Sequence, residues 1–264
     1  MNLGIIEYWN EEGYKHAQSL GLKWVEFTFN HDHEPEELTA IVPDIKKWNE
    51  QYGINVGSIG RWGATHIDPD GSVNARELEA SKMIIDVCEA VGCPVYVTGA
   101  NAVEGRTFEQ NCDSAVDYFS QVVEYASAKG VKVAVYNCDW ANFVREDSTW
   151  SAVMTRVPGL GIKFDPSHCI NVHNGDPYKE ILKWADRIYH FHIKGLINID
   201  RHEIDDPPAG LDMINWREIM GLLYAKGYEG MLSIEPHSHT WRGDLGEWGV
   251  RYTVNYIKPM IYPN

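Results

Sequence analysis

Basic residues are scarce in this sequence, and their scarcity argues against several classes of protein. Lysine and arginine together number 23 against 38 aspartate and glutamate residues, which gives a formal net charge of −15. Binding to nucleic-acid phosphates or to anionic lipid surfaces needs clustered positive charge, so this balance disfavours nucleic acids and membranes as partners. No apolar run approaches the roughly 20 residues that cross a bilayer, so we predict no transmembrane helix.

Cysteine is also sparse, and it follows no metal-binding or disulfide pattern. The five cysteines are scattered, and no two of them form a CxxC pair. An odd, scattered set is typical of reduced thiols in a cytoplasmic protein. The first residues, MNLGIIEYWNEEGYKHAQS, lack the basic region, apolar stretch and cleavage site of a signal peptide. We therefore expect a cytoplasmic protein.

Short β-type runs alternate with amphipathic helical stretches along the whole chain. Eight runs have the character of buried parallel strands: NLGIIEY, LKWVEFTF, INVGSIG, PVYVTGA, VKVAVYN, LGIKFDP, IYHFHIK and GMLSIEP. A glycine precedes many of them, as in KGVKV, where it suits a helix C-cap before a strand. Eight such units without a linker predict a single domain, a (β/α)8 TIM barrel, over residues 1–264. A doubly wound sheet is the weaker alternative, because no GxGxxG turn is present.

Polar side chains stand where the last three predicted strands end. Asp165 ends the sixth strand, His192 lies in the seventh, and Glu235 ends the eighth. The carboxyl ends of TIM-barrel strands surround the active site, so we expect these side chains to meet. Burying them together without a cation would be costly. Two oxygens and one nitrogen suit Mn²⁺, Mg²⁺, Zn²⁺ or Co²⁺, so the sequence predicts a divalent metal site.

Further charged residues surround this trio. On the seventh strand His190, His192 and Lys194 share one face, and His190 lies two residues deeper, which favours a structural role for it. Lys163 precedes Asp165 by two residues and so points the same way. Its ammonium group is an alternative source of positive charge in place of a metal.

Several other residues follow predicted strands and are candidates for contact with a substrate. They include His66 and the tryptophans Trp9, Trp62 and Trp140, whose flat apolar rings could pack on a ligand. Each also has a plain interpretation as a loop residue that packs or is solvated. Glu26, in the second strand, is expected only to pair with a neighbour low in the barrel.

The sequence resembles the xylose-isomerase-like barrel superfamily of sugar isomerases and epimerases in three stretches: GLGIKFDPSH, IYHFHIKG and PPAGLDMINWREIMGLLYAKGYEGMLSIEPH. The similarity covers most of the chain and is most specific over residues 159–237. Metal-dependent members bind their metal through Glu, Asp, His and Glu from strands five to eight, and Asp165, His192 and Glu235 match the last three. The resemblance also implies substrate contacts by His168 and Arg201.

The fifth strand departs from the family pattern. Where the family has Glu-Asn-His, this chain has Tyr136, Asn137 and Cys138, so the first glutamate ligand is missing. In the epimerases that glutamate is both a metal ligand and one of two acid–base groups, so its absence argues against two-glutamate proton transfer. Asn137 is the candidate to supply a metal-binding oxygen instead, with Asp139 as an alternative.

The resemblance implies an enzyme of carbohydrate metabolism that isomerises, epimerises or dehydrates a small sugar or polyol. A divalent cation would polarise adjacent carbonyl and hydroxyl oxygens while a carboxylate moves the proton. We expect Glu235 to be the base, and His168 and Lys194 to hold substrate oxygens. The partner is then a small molecule, and the resemblance leaves a homo-oligomer open, because dimers and tetramers are common in the family.

Two alternatives remain at the level of sequence. A barrel that binds a sugar without turnover is favoured by the missing strand-five glutamate. An apurinic-site endonuclease with a three-zinc cluster uses the same barrel, and Asp165-x-x-His168, His192, the DRH triplet at 200–202 and Glu235 are similar to its pattern. The missing glutamate and the acidic net charge argue against this second alternative.

Overall fold

Every predicted β-type run forms a strand of one closed barrel. The computed structural model describes residues 1–262. Its strands are β1 (Asn2–Glu7), β2 (Trp24–Thr28), β3 (Asn55–Gly60), β4 (Val95–Thr98), β5 (Lys132–Tyr136), β6 (Leu160–Phe164), β7 (Ile188–Ile193), β8 (Ile197–Ile199), β9 (His202–Asp205) and β10 (Met231–Ile234). The barrel order is β1 to β7 and then β10, and all neighbouring strands are parallel. The predicted TIM barrel is thus confirmed.

Helices follow the barrel strands and cover the outside of the sheet. They are α1 (Glu11–Ser19), α2 (Pro35–Ala40), α3 (Val42–Tyr52), α4 (Ala75–Val91), α5 (Phe108–Ser127), α6 (Asp147–Met154), α7 (Pro166–His173), α8 (Pro177–Trp184), α9 (Trp216–Ala225) and α10 (Gly243–Ile257). Within residues 1–262, none of them is both long enough and apolar enough to cross a membrane.

A segment that follows β7 projects from the carboxyl end of the barrel. Here β8 and β9 form a two-stranded antiparallel hairpin, which the sequence did not reveal. Its turn residues Asp200 and Arg201 have φ values of 51° and 67°, in the left-handed region that a tight turn requires. Asn198 of β8 donates a 2.8 Å hydrogen bond to Asn171 of α7, so the hairpin packs beside that helix.

The barrel interior is divided into an apolar half and a charged half. The apolar half is a small cluster inside β3, β4 and β5, with Trp62, Val95, Val97, Ala134, Tyr136 and Cys138. Facing it are buried polar side chains of β2, β3, β6 and β7, namely Glu26, Ser58, Lys163, His190 and His192. Charged groups at the centre of a barrel need partners, and this half forms the floor of the candidate site.

Candidate active site at the carboxyl end of the barrel

Three of the four candidate metal ligands, Asp165, His192 and Glu235, lie together at the carboxyl end of the barrel. Asp165 follows β6, His192 lies in β7 and Glu235 follows β10, three neighbouring strands. One ligand atom of each lies within 4.8 Å of the other two. Asp165 and His192 are buried, whereas the Glu235 side chain keeps 18% of its exposure. The parallel strands therefore bring two carboxylates and an imidazole to one point.

Asp165 is held in place by local structure. One carboxylate oxygen, Oδ1, accepts hydrogen bonds from the backbone N–H of Ser167 at 2.8 Å and from its hydroxyl at 2.7 Å, which caps α7. The other oxygen, Oδ2, is buried and has no hydrogen-bond partner among the described residues. It lies 3.5 Å from Nε2 of His168 and 3.8 Å from Nζ of Lys163. One oxygen of a fixed carboxylate is therefore left for a cation.

Charges around Asp165 keep its carboxyl group ionised. Burial opposes ionisation, but the charges of His168, Lys163 and Lys194 hold the pKa of Asp165 at about 2. Burial also lowers the pKa of His168 to about 4, so this imidazole is neutral at neutral pH and becomes charged only as the pH falls to about 4. At neutral pH the two lysines supply the positive charge that Asp165 needs.

The structure places Asn137 against the backbone of Asp165. Its amide oxygen accepts the Asp165 N–H at 3.0 Å, and its amide nitrogen donates to the Asp165 carbonyl at 2.8 Å. Asn137 thus fixes the position of Asp165, and both of its polar atoms are used in doing so.

The neighbouring Tyr136 stacks on Trp62, with ring centroids 5.9 Å apart, and its hydroxyl donates to the carbonyl of Trp140 at 2.7 Å.

A buried carboxylate beneath the rim orients His192. Oε2 of Glu26 lies 2.8 Å from Nε2 of His192 and 2.7 Å from Nε2 of His190. Burial opposes the charge of Glu26, but the two histidines hold its pKa well below the usual range. A proton on Nε2 of His192 leaves the lone pair of Nδ1 facing Oε2 of Glu235 at 2.7 Å. Such a contact requires a second proton on the ring or a cation close by.

This donor set fits a divalent cation. Asp165 offers an unpartnered oxygen, and His192 offers Nδ1 with a carboxylate behind its other nitrogen, the arrangement common for metal-binding histidines. Three protein ligands with further positions left open are typical of catalytic metal sites. Lys163, whose ammonium lies 3.8 Å from Asp165, is a competing positive charge in the same place.

A second group of charges flanks the trio on the side of the hairpin. Nζ of Lys194 lies 3.4 Å from both Nε2 of His168 and Oδ2 of Asp206, and Asp206 also pairs with Nδ1 of His237 at 3.1 Å. Burial opposes the charge of Lys194, but the surrounding carboxylates raise its pKa, so it stays positive. Lys194 is 4% exposed, which places it just behind His168.

A cavity of about 640 Å³ opens above the trio. Its floor includes Lys163, His168 and Glu235, and its wall includes the indole rings of Trp62 and Trp140. The volume is in the usual range for small-molecule sites. Reactive polar groups on the floor and flat apolar rings on the wall suit a small hydroxylated ligand.

Three other predicted substrate contacts stand outside the cavity that the described residues form. Trp9 packs against Phe29, with ring centroids 5.4 Å apart. His66 is fully buried against the ring of Tyr118, at 4.5 Å, and burial lowers its pKa to about 3. Arg201 is exposed in the turn between β8 and β9. The conformations of the loops decide these positions, and strand ends alone do not predict them.

Sequence reasoning missed two charged residues of the site. Asp206 follows β9, in the hairpin that was not predicted, so nothing indicated that it would reach Lys194. Glu26 was expected only to pair with a neighbour, whereas it binds both histidines of β7. The sequence could have indicated that Glu26 is buried, because a charged residue in the middle of the strand WVEFT must face the barrel interior or a helix.

Comparisons with known proteins identify the family and the fold of the chain. A family model described as xylose isomerase-like TIM barrel matches residues 14–256. The uncharacterized protein YfiH of Bacillus subtilis is 28% identical over 172 residues, which cover 56% of this chain and 53% of that protein, so the chain spans about half the length of this relative. The 2-oxo-tetronate isomerase of Haemophilus influenzae is 24% identical over 245 residues, 87% of this chain and 89% of that protein.

A solved structure shows the same fold over nearly the whole chain. The apo form of 3-keto-D-glucoside 4-epimerase, YcjR, from E. coli superposes with a TM-score of 0.79 and 14% identity, covering 98% of this chain and 99% of that one. At this identity the likeness shows the fold alone. Since the family model spans most of the sequence, the chain belongs to the xylose isomerase-like TIM barrel family.

Proposed function

We propose that the protein is an isomerase or epimerase of a small sugar or polyol, and that it holds a divalent cation through Asp165, His192 and Glu235. The observation that carries this proposal is the meeting of three ligand atoms within 4.8 Å of one another, one of them from Glu235, which lines a 640 Å³ cavity. Two proteins to which the chain is similar, a 2-oxo-tetronate isomerase and a 3-keto-glucoside epimerase, are named for this class of reaction.

A divalent cation at this position would polarise a substrate carbonyl and its neighbouring hydroxyl, which acidifies the C–H bond between them. Glu235 is the base in our proposal. Its Oε2 is fixed by Nδ1 of His192 while its side chain still faces the cavity. Burial opposes its ionisation, but His192 and the two lysines hold the pKa of Glu235 well below its usual range. It is therefore ionised at neutral pH, the form in which a carboxylate accepts a proton.

The missing strand-five glutamate favours isomerisation over epimerisation. With one carboxylate base, the proton is removed and returned on the same face of the substrate, which moves a carbonyl between adjacent carbons. Inversion at a single carbon needs a second acid on the opposite face, and Tyr136 stands at the position of the family's strand-five glutamate. Its hydroxyl is engaged with the carbonyl of Trp140, so it is poorly placed to serve as that acid.

His168 and Lys194 position the substrate in this scheme. Lys194 donates toward Nε2 of the neutral His168 imidazole, so the ring proton resides on Nδ1. His168 lines the cavity and can donate that proton to a substrate oxygen. Lys194 acts through His168 from behind, held by Asp206. The indole of Trp62 gives a flat apolar wall for the C–H face of the sugar.

The test measures proton exchange at carbon. Protein stripped with a chelator is supplied in turn with Mn²⁺, Mg²⁺, Zn²⁺ or Co²⁺ and incubated in D₂O with tetroses, pentoses, hexoses and keto-glycosides. We expect deuterium to enter the substrate only when a metal is present, and not in Asp165→Asn or Glu235→Gln. Asp44→Asn, an exposed site on α3, is the matched control and should keep full activity. Wild-type protein that binds none of these metals would refute the proposal.

One observation favours a second candidate, a barrel that binds a sugar without turnover. The ammonium of Lys163 lies 3.8 Å from Oδ2 of Asp165, so the chain supplies its own positive charge beside the carboxylates. Calorimetry on the chelated protein separates the two candidates, because this second one requires sugar binding without metal and without deuterium exchange. The endonuclease alternative gains no support, since the triplet at 200–202 is exposed in the hairpin rather than among the buried ligands.

A further inference from the structure

A second group of metal-ligand side chains lies where α7 meets α8. Cys169 and His173 are four residues apart on α7, which places them on one face of that helix, and Glu180 reaches them from α8. One ligand atom of each lies within 4.8 Å of the other two, and Nε2 of His173 is 3.0 Å from Oε1 of Glu180. This α7–α8 cluster shares no residue with the trio Asp165, His192 and Glu235.

The α7–α8 cluster is buried, yet its polar atoms are not all satisfied. Cys169 is fully buried, and the side chains of His173 and Glu180 keep only 7% and 11% of their exposure. Nδ1 of His173 and Oε2 of Glu180 have no hydrogen-bond partner among the described residues. Unpartnered buried polar atoms are uncommon in proteins, and these two are available to bind a ligand.

The turn between the helices keeps space open beside the three side chains. A Cβ on Gly175 would lie 2.6 Å from Oε1 of Glu180, 2.8 Å from Sγ of Cys169 and 2.9 Å from Cδ2 of His173. Any side chain at position 175 would therefore displace all three. The preceding Asn174 has a φ of 52°, which turns the chain back so that the Gly175 N–H donates to the carbonyl of Cys169 at 2.7 Å.

We propose that Cys169, His173 and Glu180 form a site for Zn²⁺ or a similarly soft divalent cation. Thiolate, imidazole and carboxylate are the ligands that zinc takes in proteins, and a water completes four-coordination. Mg²⁺ and Ca²⁺ prefer oxygen ligands, so they are disfavoured here. Binding releases the thiol proton of Cys169 to solvent, and no other bond forms or breaks apart from those to the metal.

The position of the α7–α8 cluster indicates a supporting role. None of its three residues lines the cavity that the described residues form above the trio. However, α7 is capped by Asp165 and carries His168, so an ion between α7 and α8 would fix the helix that presents both of these residues. An ion bound there would therefore steady the helix that carries part of the candidate active site.

Cobalt absorption tests the proposal on the full chain. A cysteine thiolate bound to Co²⁺ gives a strong charge-transfer band in the near ultraviolet, which oxygen and nitrogen ligands do not give. We expect the band in wild-type protein and its loss in Cys169→Ser and in His173→Gln. It should persist in Glu235→Gln, which disables the trio, and in Cys138→Ser, which removes the thiol that lines the cavity.

Two results would overturn the α7–α8 site. One is the absence of a charge-transfer band in wild-type protein at saturating Co²⁺. The other is a band that survives in Cys169→Ser and disappears in Cys138→Ser, which would assign the thiolate to the cavity.

Because Cys169 is fully buried and its replacement could disturb folding, thermal unfolding of His173→Gln in the Glu235→Gln background provides an independent check. Zn²⁺ should raise the Tm of Glu235→Gln alone and leave that of the double variant unchanged.

Discussion

At the scale of single residues, the site is short of positive charge. Four buried or mostly buried carboxylates face two buried ammonium groups: Glu26, Asp165, Asp206 and Glu235 against Lys163 and Lys194. Four negative charges against two positive charges leave two to be balanced. A divalent cation would balance both, as would two protonated histidines, and uncompensated charge in a barrel interior is costly. The charge balance therefore favours a bound divalent cation. In the absence of a metal, protonation of two histidines would balance the same charges.

The first prediction concerns Glu26, which contacts His192, the proposed metal ligand, from inside the barrel. Its Oε2 contacts Nε2 of His192 at 2.8 Å, which sets the tautomer and raises the basicity of Nδ1. We expect Glu26→Gln to weaken Mn²⁺ binding by roughly 10- to 100-fold, the usual effect of removing such a carboxylate. Calorimetric titration of the chelated protein measures it. Glu79→Gln, on the exposed face of α4, is the matched control, and an unchanged affinity in Glu26→Gln would contradict the proposed role.

The second prediction concerns Lys163, the buried cation nearest to Asp165. Lys163→Met keeps the bulk of the side chain but leaves the carboxylate without its 3.8 Å partner. In chelator, we expect the free energy of unfolding to fall by about 3 kcal/mol, the usual cost of breaking a buried ion pair. Mn²⁺ should restore most of the loss, because it supplies the missing charge. Urea unfolding with and without metal measures both quantities.

Lys46→Met provides the control for that experiment, since Lys46 is exposed on α3. Its effect should stay within about 0.5 kcal/mol. If Mn²⁺ fails to rescue Lys163→Met, the lysine rather than a metal balances Asp165. That outcome would favour the barrel that binds a sugar without turnover.

At the scale of strands and helices, alternation along a strand was a reliable guide. The side chains of His190 and His192 face the barrel interior, as their spacing in β7 predicts, and His190 lies deeper. Asn137 is a residue whose contacts this alternation did not predict. Its position at the end of β5 was clear from the sequence, but nothing indicated that the backbone of Asp165 would take both atoms of its amide. A long-range contact, and not a local sequence pattern, determines the orientation of the Asn137 side chain.

The loops and the hairpin were the least predictable elements. Trp9 and His66 follow strand ends as expected, yet each packs against a neighbouring aromatic ring instead of lining the cavity. The β8–β9 hairpin brings Asp206 to Lys194, and it could not be predicted from short, exposed runs such as INI and HEID. Long-range contacts fix such segments, and local sequence carries little of that information.

The third prediction concerns a histidine that joins three elements. His16 of α1 pairs with Glu7 at the end of β1, and its Nε2 lies 2.9 Å from Oε2 of Glu247 in α10. The hydrogen bond to Glu7, with the charges of both glutamates, raises the pKa of His16 above 6.5 despite partial burial. Since the folded-state pKa is raised, the stabilisation is complete below 6.5 and is lost as pH rises through the folded pKa.

We therefore expect His16→Gln to destabilise the protein by about 0.5–1 kcal/mol near pH 6, a modest value because the imidazole is partly exposed. Near pH 9 the two proteins should differ by much less, since His16 is then neutral in both states. Urea unfolding at the two pH values measures the difference. His202→Gln, a substitution of an exposed histidine of β9, is the matched control. A difference that is the same at both pH values would contradict the ionic role of His16.

At the scale of the whole molecule, repetition made the fold predictable. Eight similar units allow few architectures, and the closed barrel, together with the match of the family model to residues 14–256, confirms both the TIM barrel and the family resemblance. The barrel also explains why three ligands distant in sequence could be expected to meet, because parallel strands end at one rim. The chemistry of the site was harder to predict from the sequence. It depends on whether protein side chains or a bound metal supply the positive charge at that rim.

The last prediction uses the stability of the whole barrel to report on the trio. Mn²⁺ at about 100 times its Kd should stabilise the protein by about 2.7 kcal/mol, which corresponds to a rise in Tm of roughly 5–10 °C for a chain of this size. Asp165→Asn should abolish the rise, yet asparagine still caps a helix well, so α7 itself is preserved. Mn²⁺ prefers oxygen and nitrogen ligands, so the α7–α8 cluster should contribute little. An equal rise in Asp165→Asn, measured by calorimetry beside Asp44→Asn, would show that the ion binds elsewhere and that the rim of the barrel is not its site.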